Sequence, residues 1–331
     1  MIKVGVSVPA EDGLSAREIM QLATEAESLG YDSVLVGEAA GLEPFSVLGM
    51  IASVTRRVRI GSGIVSIYSR SPALTAMGFG TLDSCVPGRV IAGVGVSSPL
   101  MVSRWHNVPF DAPLGRAREF VVALREVLRG DRVDLDGRYY RLEGFRLDFP
   151  TPNKIPIMLA AMNPRMLSVA GAVADAVYLA WTPPDAVPAK IEFVRTGAEE
   201  AHRDPSELEI VALLWSYVGP DKKMILERCR RFVLQYAMQS SHRISFTGTW
   251  ANIDEADQAW HAGDRKAALA LCDDAVVDQM CALGDADTVA GRIMDFEKAG
   301  VNTVIVLPIG RSRGDVEGST MTLKSLAAVL Q

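Results

Sequence analysis

The sequence predicts an α/β protein, a (β/α)8 TIM barrel with insertions. Three observations carry this. Short runs rich in Val, Ile and Leu alternate with segments of helical periodicity along most of the 331 residues. That is the pattern of a parallel sheet covered by helices on both faces. The two ends of the chain also echo each other: Glu27-Ser-Leu-Gly30-Tyr-Asp-Ser-Val-Leu-Val36 parallels Glu297-Lys-Ala-Gly300-Val-Asn-Thr-Val-Ile-Val306. Similar α/β units at both extremes suit a closed barrel, where first and last strands are neighbours. Finally, no Gly/Ser-rich or Pro-rich linker divides two halves, so residues 1–331 read as a single domain.

Each element follows from local pattern. Ile2–Val8 alternates as a first strand. Ser15 and Glu18 form a capping box, and Ile19, Leu22, Ala23, Ala26 and Leu29 follow at helical spacing. Gly30 stands where the helix should stop, and Asp32–Val36 is the next strand. Further strands are expected at Val58–Gly61, Arg89–Val94, Ile155–Leu159, Ala176–Leu179, Leu208–Val218 and Thr303–Leu307, eight in all. Helical segments between them include Leu114–Leu128, Ala186–His202 and Thr288–Ala299. Two stretches exceed a simple connection and read as insertions. Residues 99–152 hold a helix and a hairpin around Tyr139–Leu147; residues 219–287 are polar and helical, with no strand pattern.

Composition narrows the function. Apolar residues make up 49%, enough for a large core, and the net charge of −6 argues against a nucleic-acid surface. Cys85, Cys229, Cys272 and Cys281 form no CxxC pair, so a reducing cytoplasm is expected. The N-terminus lacks a signal peptide's apolar region, and no apolar run reaches the ~18 residues that would span a membrane. His106, His202, His242 and His261 make no HxH or HExxH, so no metal centre is expected. There is no Walker A pattern and no GxSxG elbow. Gly61-Ser-Gly63 and Gly93-Val-Gly95 start like dinucleotide fingerprints but lack the third glycine.

In a barrel the chemistry lies on the loops after the strands' C-terminal ends. Those loops here carry Gly37-Glu38-Ala39, Gly61–Ser66, Gly95–Pro99, Ala160–Asn163, Trp181 and Tyr217. Small residues let a flat or phosphorylated ligand approach the backbone, whose N–H groups bind phosphate oxygens without net positive charge.

The ordered set of stretches resembles the luciferase-like monooxygenase superfamily, and within it the coenzyme F420-dependent branch (methylenetetrahydromethanopterin reductase-like). It comprises Ile60–Pro72 with Ala73–Met77, Tyr31–Glu38, Thr81–Arg89, Gly93–Pro99, Trp105–Phe110, Pro113–Val121, Ile155–Ala161 and Ala299–Val306. The resemblance spans nearly the whole chain. It implies a barrel that binds a flavin or deazaflavin at its C-terminal face, usually as a homodimer. It places Glu38 beside the ring and makes Gly63–Ile64 a non-prolyl cis peptide that backs the ring. It makes Ser66 a polar contact, Ser97 and Ser98 the phosphate-side loop, and Ala161, Met162, Asn163, Arg165 and Met166 the receptor of the cofactor tail. One departure stands out. Sugar-phosphate dehydrogenases of this superfamily carry Asp-His after the second strand and a glutamate after the fourth. Here the matching residues are Glu38-Ala39 and Ser98, so glucose-6-phosphate chemistry is not expected.

The expected activity is F420-dependent hydride transfer to or from a small organic substrate. The cofactor is F420, with FMN and monooxygenase chemistry as the alternative; a non-catalytic flavin-binding barrel is a further one. Glu38 and His106 are the candidate proton carriers, since each can titrate at a buried or loop site. Arg70 is read as a partner of a phosphate, a carboxylate tail or a structural carboxylate. Tyr68, Trp181 and Tyr217 are expected to line the substrate pocket; Trp215 reads as core and His242 as solvated.

Overall fold

The computed structural model describes residues 2–239 and 242–330. Eight parallel strands form a closed barrel: β1 (Lys3–Val8), β2 (Ser33–Val36), β3 (Arg59–Ser62), β4 (Val90–Gly95), β5 (Ile157–Ala160), β6 (Ala176–Leu179), β7 (Glu209–Val218) and β8 (Thr303–Pro308). Each pairs with the next, and β8 pairs back to β1 with Val4 opposite Val304. These are the eight strands expected from the sequence, with ends moved by two residues or fewer. The echoed segments β2 and β8 flank β1 on its two sides, with Val6 opposite both Val34 and Val306.

The helices are α1 (Ala16–Ser28), α2 (Pro44–Val54), α3 (Pro72–Cys85), α4 (Pro113–Leu128), α5 (Pro164–Val173), α6 (Val187–Glu200), α7 (Lys222–Ala237), α8 (Ile253–His261), α9 (Arg265–Leu271), α10 (Asp274–Met280), α11 (Ala286–Lys298) and α12 (Val316–Leu330). At α1 the capping box is formed: Glu18 N donates to Ser15 Oγ at 3.3 Å, and Ser15 N donates to the Glu18 carboxylate at 2.7 Å. Gly30 ends that helix at φ +83°, a left-handed conformation that glycine adopts without strain. The hairpin in the 99–152 insertion pairs Val133–Asp136 with Arg141–Phe145.

Strand periodicity sorts the core into two layers. Val34 and Val36 of β2 face outward and pack with Ile19 and Leu22 of α1 and Leu48 and Ile51 of α2. Leu35 faces inward and joins Ile91, Met158, Ala176, Tyr178, Val211 and Ile305 in the barrel interior. Where β4 crosses the end of β3 the backbones touch. A Cβ on Gly93 would lie 1.8 Å from the Ser62 carbonyl oxygen, so only glycine fits.

The 219–287 insertion corrects one expectation. It contains a strand, Cys281–Gly284, which runs parallel to the upper part of β7 (Trp215 opposite Cys281, Val218 opposite Gly284). β6 pairs only with residues 209–212 of β7. The long β7 therefore outruns β6, and the freed edge takes a new partner. A second short strand, Val65–Ser66, pairs with the end of β4 inside the stretch expected as loop. No described helix is long and apolar enough to cross a membrane.

Candidate active site

The ends of β2, β3, β4 and β5 are neighbours in the sheet and bring most of the candidate cofactor residues together. After β3 the chain turns through a cis Gly63–Ile64 peptide. Gly63 N donates to Val36 O at 2.9 Å, and Glu38 N donates to Ile64 O at 3.1 Å, which ties this bulge to the end of β2. Ile64 leans toward β4 and β5: a Cβ on Gly95 would meet Ile64 Cδ1 at 2.9 Å and Ala160 Cβ at 3.1 Å. Ser66 is buried, and its Oγ accepts from Tyr68 N at 3.2 Å. After β4, Ser97 takes φ +58°, and buried Ser98 opens the π-helical turn Leu100–Trp105. After β5, buried Ala161 and half-buried Met162 lead to Asn163, the N-cap of α5, then exposed Arg165 and buried Met166.

Glu38 lies at the centre of a clamp. Its carboxylate accepts from Ser66 N at 2.6 Å, Ser69 Oγ at 3.4 Å, and Arg70 Nε and Nη2 at 3.2 and 2.9 Å. Arg70 also pairs with Glu43 at 2.6 Å and lies over the Phe45 ring at 4.8 Å. The fork geometry and low exposure make this a strong, orienting pair. So the arginine after the bulge is held by carboxylates of this chain.

Across the mouth, β6, β7 and the β1 loop supply a different surface. Trp181 stacks on Trp215 with centroids 5.0 Å apart and tilts onto Tyr236 at 4.8 Å. Its backbone sits at φ +47°, a strained value for a bulky side chain and one that gathers at functional sites. The Tyr178 hydroxyl rises beneath the bulge, 3.4 Å from where a Cβ of Gly63 would be. Burial, then the nearby Tyr236 hydroxyl, raises its pKa. Glu11, in the loop after β1, places Oε1 3.4 Å from where a Cβ of Gly37 would stand. As a residue it keeps solvent access, yet protein crowds its carboxyl, and that desolvation raises its pKa.

The other candidates are either exposed or already engaged within the chain. His106 is exposed at the end of the π-helical turn, with its amide bonded to Met101 O. Tyr68 stacks on Phe110, and its hydroxyl donates to Asp111 O at 2.6 Å. Tyr217 is fully buried and its hydroxyl donates to Asp221 at 3.2 Å. Sequence reasoning passed over Glu11 and Tyr178, and it read Trp215 as core. On a strand an inward Tyr or Trp looks like packing, and only the local surroundings separate the two roles. His242, expected in solvent, is instead mostly buried, which lowers its pKa to about 4.

Lys190 on α6 is a further find. Its ammonium donates to Met162 O at 3.2 Å and Ser245 Oγ at 3.4 Å, with no carboxylate partner among the described residues. Burial lowers its pKa to about 8. The charged form is therefore disfavoured by folding, and stability from this group rises as pH climbs from about 8 to 10.5. Lys190→Met is expected to stabilise the ligand-free protein by about 2 kcal/mol at pH 7. The gain should fade toward pH 10.5, and thermal melts at the two pH values check it. An unchanged melting temperature at pH 7 would refute it.

Comparison with known proteins agrees with this geometry. A model of the luciferase-like monooxygenase family matches residues 2–303. An F420-dependent glucose-6-phosphate dehydrogenase of Gordonia bronchialis is 31% identical over 248 residues, covering 69% of this chain and 72% of that protein. A 5,10-methylenetetrahydromethanopterin reductase of Archaeoglobus fulgidus is 28% identical over 294 residues, covering 86% and 88%. The structure of a coenzyme F420-dependent tetrahydromethanopterin reductase from Methanopyrus kandleri superposes with a TM-score of 0.83 at 23% identity, over 100% of this chain and 99% of that one. With the barrel closed as described and the family model spanning most of its length, the chain belongs to the luciferase-like monooxygenase family.

Proposed function

We propose that the protein is an oxidoreductase that uses coenzyme F420 as a hydride carrier toward a small organic substrate. One observation carries this: the ends of β2 to β5 form a continuous shelf of small residues around the Gly63–Ile64 bulge, clamped by Glu38 and Arg70. A relative and a solved structure named as F420-dependent enzymes support it.

The residues present fit that cofactor. The shelf admits a flat ring close to the backbone. Beside it, the start of α5 and the desolvated Lys190 ammonium form a receptor for an anionic tail. Gly63, Ile64 and Ser66 would hold the ring; Ser97 and Ser98 would hold its phosphate side; Ala161, Met162, Asn163, Arg165 and Met166 would receive the tail. When bound, the deazaflavin supplies hydride transfer at its C5 carbon. The protein's part is to orient, to exclude water and to move a proton. Glu38, with its carboxylate engaged by four donors, serves as a positioning residue at the ring. Glu11 is the best-placed proton carrier, because its raised pKa lets it hold a proton nearer neutral pH. His106 is the second candidate. Trp181, Tyr68 and Tyr217 border the substrate side.

The same reading makes the chain one domain whose two insertions serve one mouth. It also makes the protein a cytoplasmic homodimer. Free cysteines support the compartment, and exposed Met50, Leu74 and Met77 on α2 and α3 support the pairing.

The test is a titration of the purified protein with F420 and, separately, FMN, followed by tryptophan fluorescence. F420 should bind in the micromolar range and FMN at least tenfold more weakly. Tight FMN with no F420 binding would overturn the reading in favour of an oxygen-using monooxygenase.

A further inference from the structure

The substrate side of the mouth has a chemical signature of its own. Its rings form one connected cluster. Trp181 meets Trp215 and Tyr236, Phe232 meets Trp215 at 5.1 Å, Phe246 meets Trp181 at 5.9 Å, and His242 meets Tyr236 at 5.7 Å. Among the described residues, five side-chain polar atoms in and around this cluster are buried without a hydrogen-bond partner: Tyr178 Oη, Trp215 Nε1, Arg228 Nε, Gln239 Oε1 and His242 Nδ1. They come from β6, from β7, from α7 and from the chain beyond its end. Each such atom carries an uncompensated desolvation cost, and folded proteins keep few of them. Five in and around one aromatic cluster, beside a tryptophan held at φ +47°, mark groups waiting for a partner from outside the chain.

Their chemistry limits that partner. Trp215 offers an N–H donor and Tyr178 an O–H donor, the pair that an acceptor on the ligand would satisfy, whereas Gln239 Oε1 can only accept. Buried His242 is neutral at physiological pH. Among the described residues, the cation stacked on these rings is Arg228, 5.5 Å from the Phe232 centroid, and it is neutralised by Asp12. The Glu11 carboxyl at the rim opposes an approaching anion. A flat ligand inserting here exchanges ring–ring for ring–ligand contacts of the same kind. The net gain then comes from hydrogen bonds that the free protein leaves unmade.

We infer that the cluster between β6, β7 and α7 binds a planar, conjugated, uncharged ring compound carrying a carbonyl or ring-nitrogen acceptor, as the substrate class of this site. The inference rests on reading the barrel mouth as the active site. It separates this protein from any member that takes a phosphorylated sugar.

The test is calorimetric titration of the full-length protein with coumarin, coumarin-3-carboxylate and glucose 6-phosphate. Coumarin should bind, the carboxylate at least tenfold more weakly, and the sugar phosphate without measurable heat. Trp215→Phe keeps the ring and removes the N–H, and should weaken coumarin about tenfold while leaving the F420 dissociation constant unchanged. Tyr178→Phe removes the donor on β6 and is expected to weaken coumarin likewise, should the first variant fold poorly. Absence of coumarin binding, equal or tighter binding of either anion, or coumarin affinity indifferent to both substitutions would overturn the inference. An F420 titration on the same sample separates the two claims. F420 binding without coumarin sinks only this inference; coumarin binding without F420 sinks the cofactor reading and leaves this one standing.

Discussion

Glu38→Ala is expected to weaken F420 binding about a hundredfold while leaving the barrel folded. The carboxylate is 12% exposed and Arg70 is 17% exposed, so both partners of the pair are largely desolvated. Removing one partner of such a pair costs about 3 kcal/mol, because the other charge is left behind in poor solvent. Here the loss also frees the Ser66 amide and the Ser69 hydroxyl, which tie the stretch after the bulge to the end of β2. The guanidinium keeps Glu43, but that carboxylate is 48% exposed and belongs to the start of α2. Arg70 is then expected to swing away from the bulge, and the shelf loses its shape. Glu38→Gln can still accept from the Ser66 amide, so it should lose only about tenfold. Fluorescence titration of both variants beside a thermal melt is the measurement. Wild-type affinity in the alanine variant would show that the clamp is irrelevant to the cofactor.

The second large effect concerns Glu11→Gln. Turnover on a substrate returned by a screen should fall by about 10²–10⁴, the usual contribution of a positioned acid or base. Affinity for F420 should hardly change, since Glu11 belongs to the β1 loop and not to the shelf. The pH profile gives a sharper sign. Crowding raises this carboxyl's pKa above its ordinary 4.5. If it delivers the proton, the wild-type rate falls as pH rises through the raised pKa, and the variant loses this limb. Stability should move the other way. At neutral pH the native state holds a poorly solvated carboxylate that the unfolded chain solvates freely, so Glu11→Gln should raise the melting temperature. A drop in rate together with a drop in stability would point to simple misfolding.

Much of the frame is legible from the sequence because its physics is local. Buried strands on both faces must be β-branched and apolar, and β1, β2 and β8 are. Capping at Ser15–Glu18 and stopping at Gly30 are decided within a few residues. The cofactor shelf is legible because close approach of a ligand demands small residues at consecutive strand ends, and the family resemblance adds roles to them. What escapes is long-range. Cys281-Ala-Leu-Gly284 has no β-branched residue; it becomes a strand because β7 offers an unpaired edge. Glu11 reads as an ordinary polar loop residue between Ala10 and Asp12. Its crowding comes from groups such as Tyr236, far along the chain, whose own pKa is raised by burial and then by Glu11. The pairing of Arg70 with Glu38 spans 32 positions. Trp215 and Tyr178 differ from core residues only in the hydrogen bonds they lack, a property that no spacing encodes.

The unequal lengths of β6 and β7 have a consequence for how such a protein can diversify. Below residue 212 the two strands are zipped; above 215 the edge of β7 belongs to the 219–287 insertion. Trp181 and Trp215 face each other across that parted seam. Substitutions in the insertion can therefore remodel ligand choice without disturbing any hydrogen bond among β2, β3, β4 and β5. Selection can act on what the mouth accepts while the hydride machinery is inherited intact. A chimera that exchanges only this segment with a relative should acquire the donor's ligand preference and keep its own affinity for the carrier.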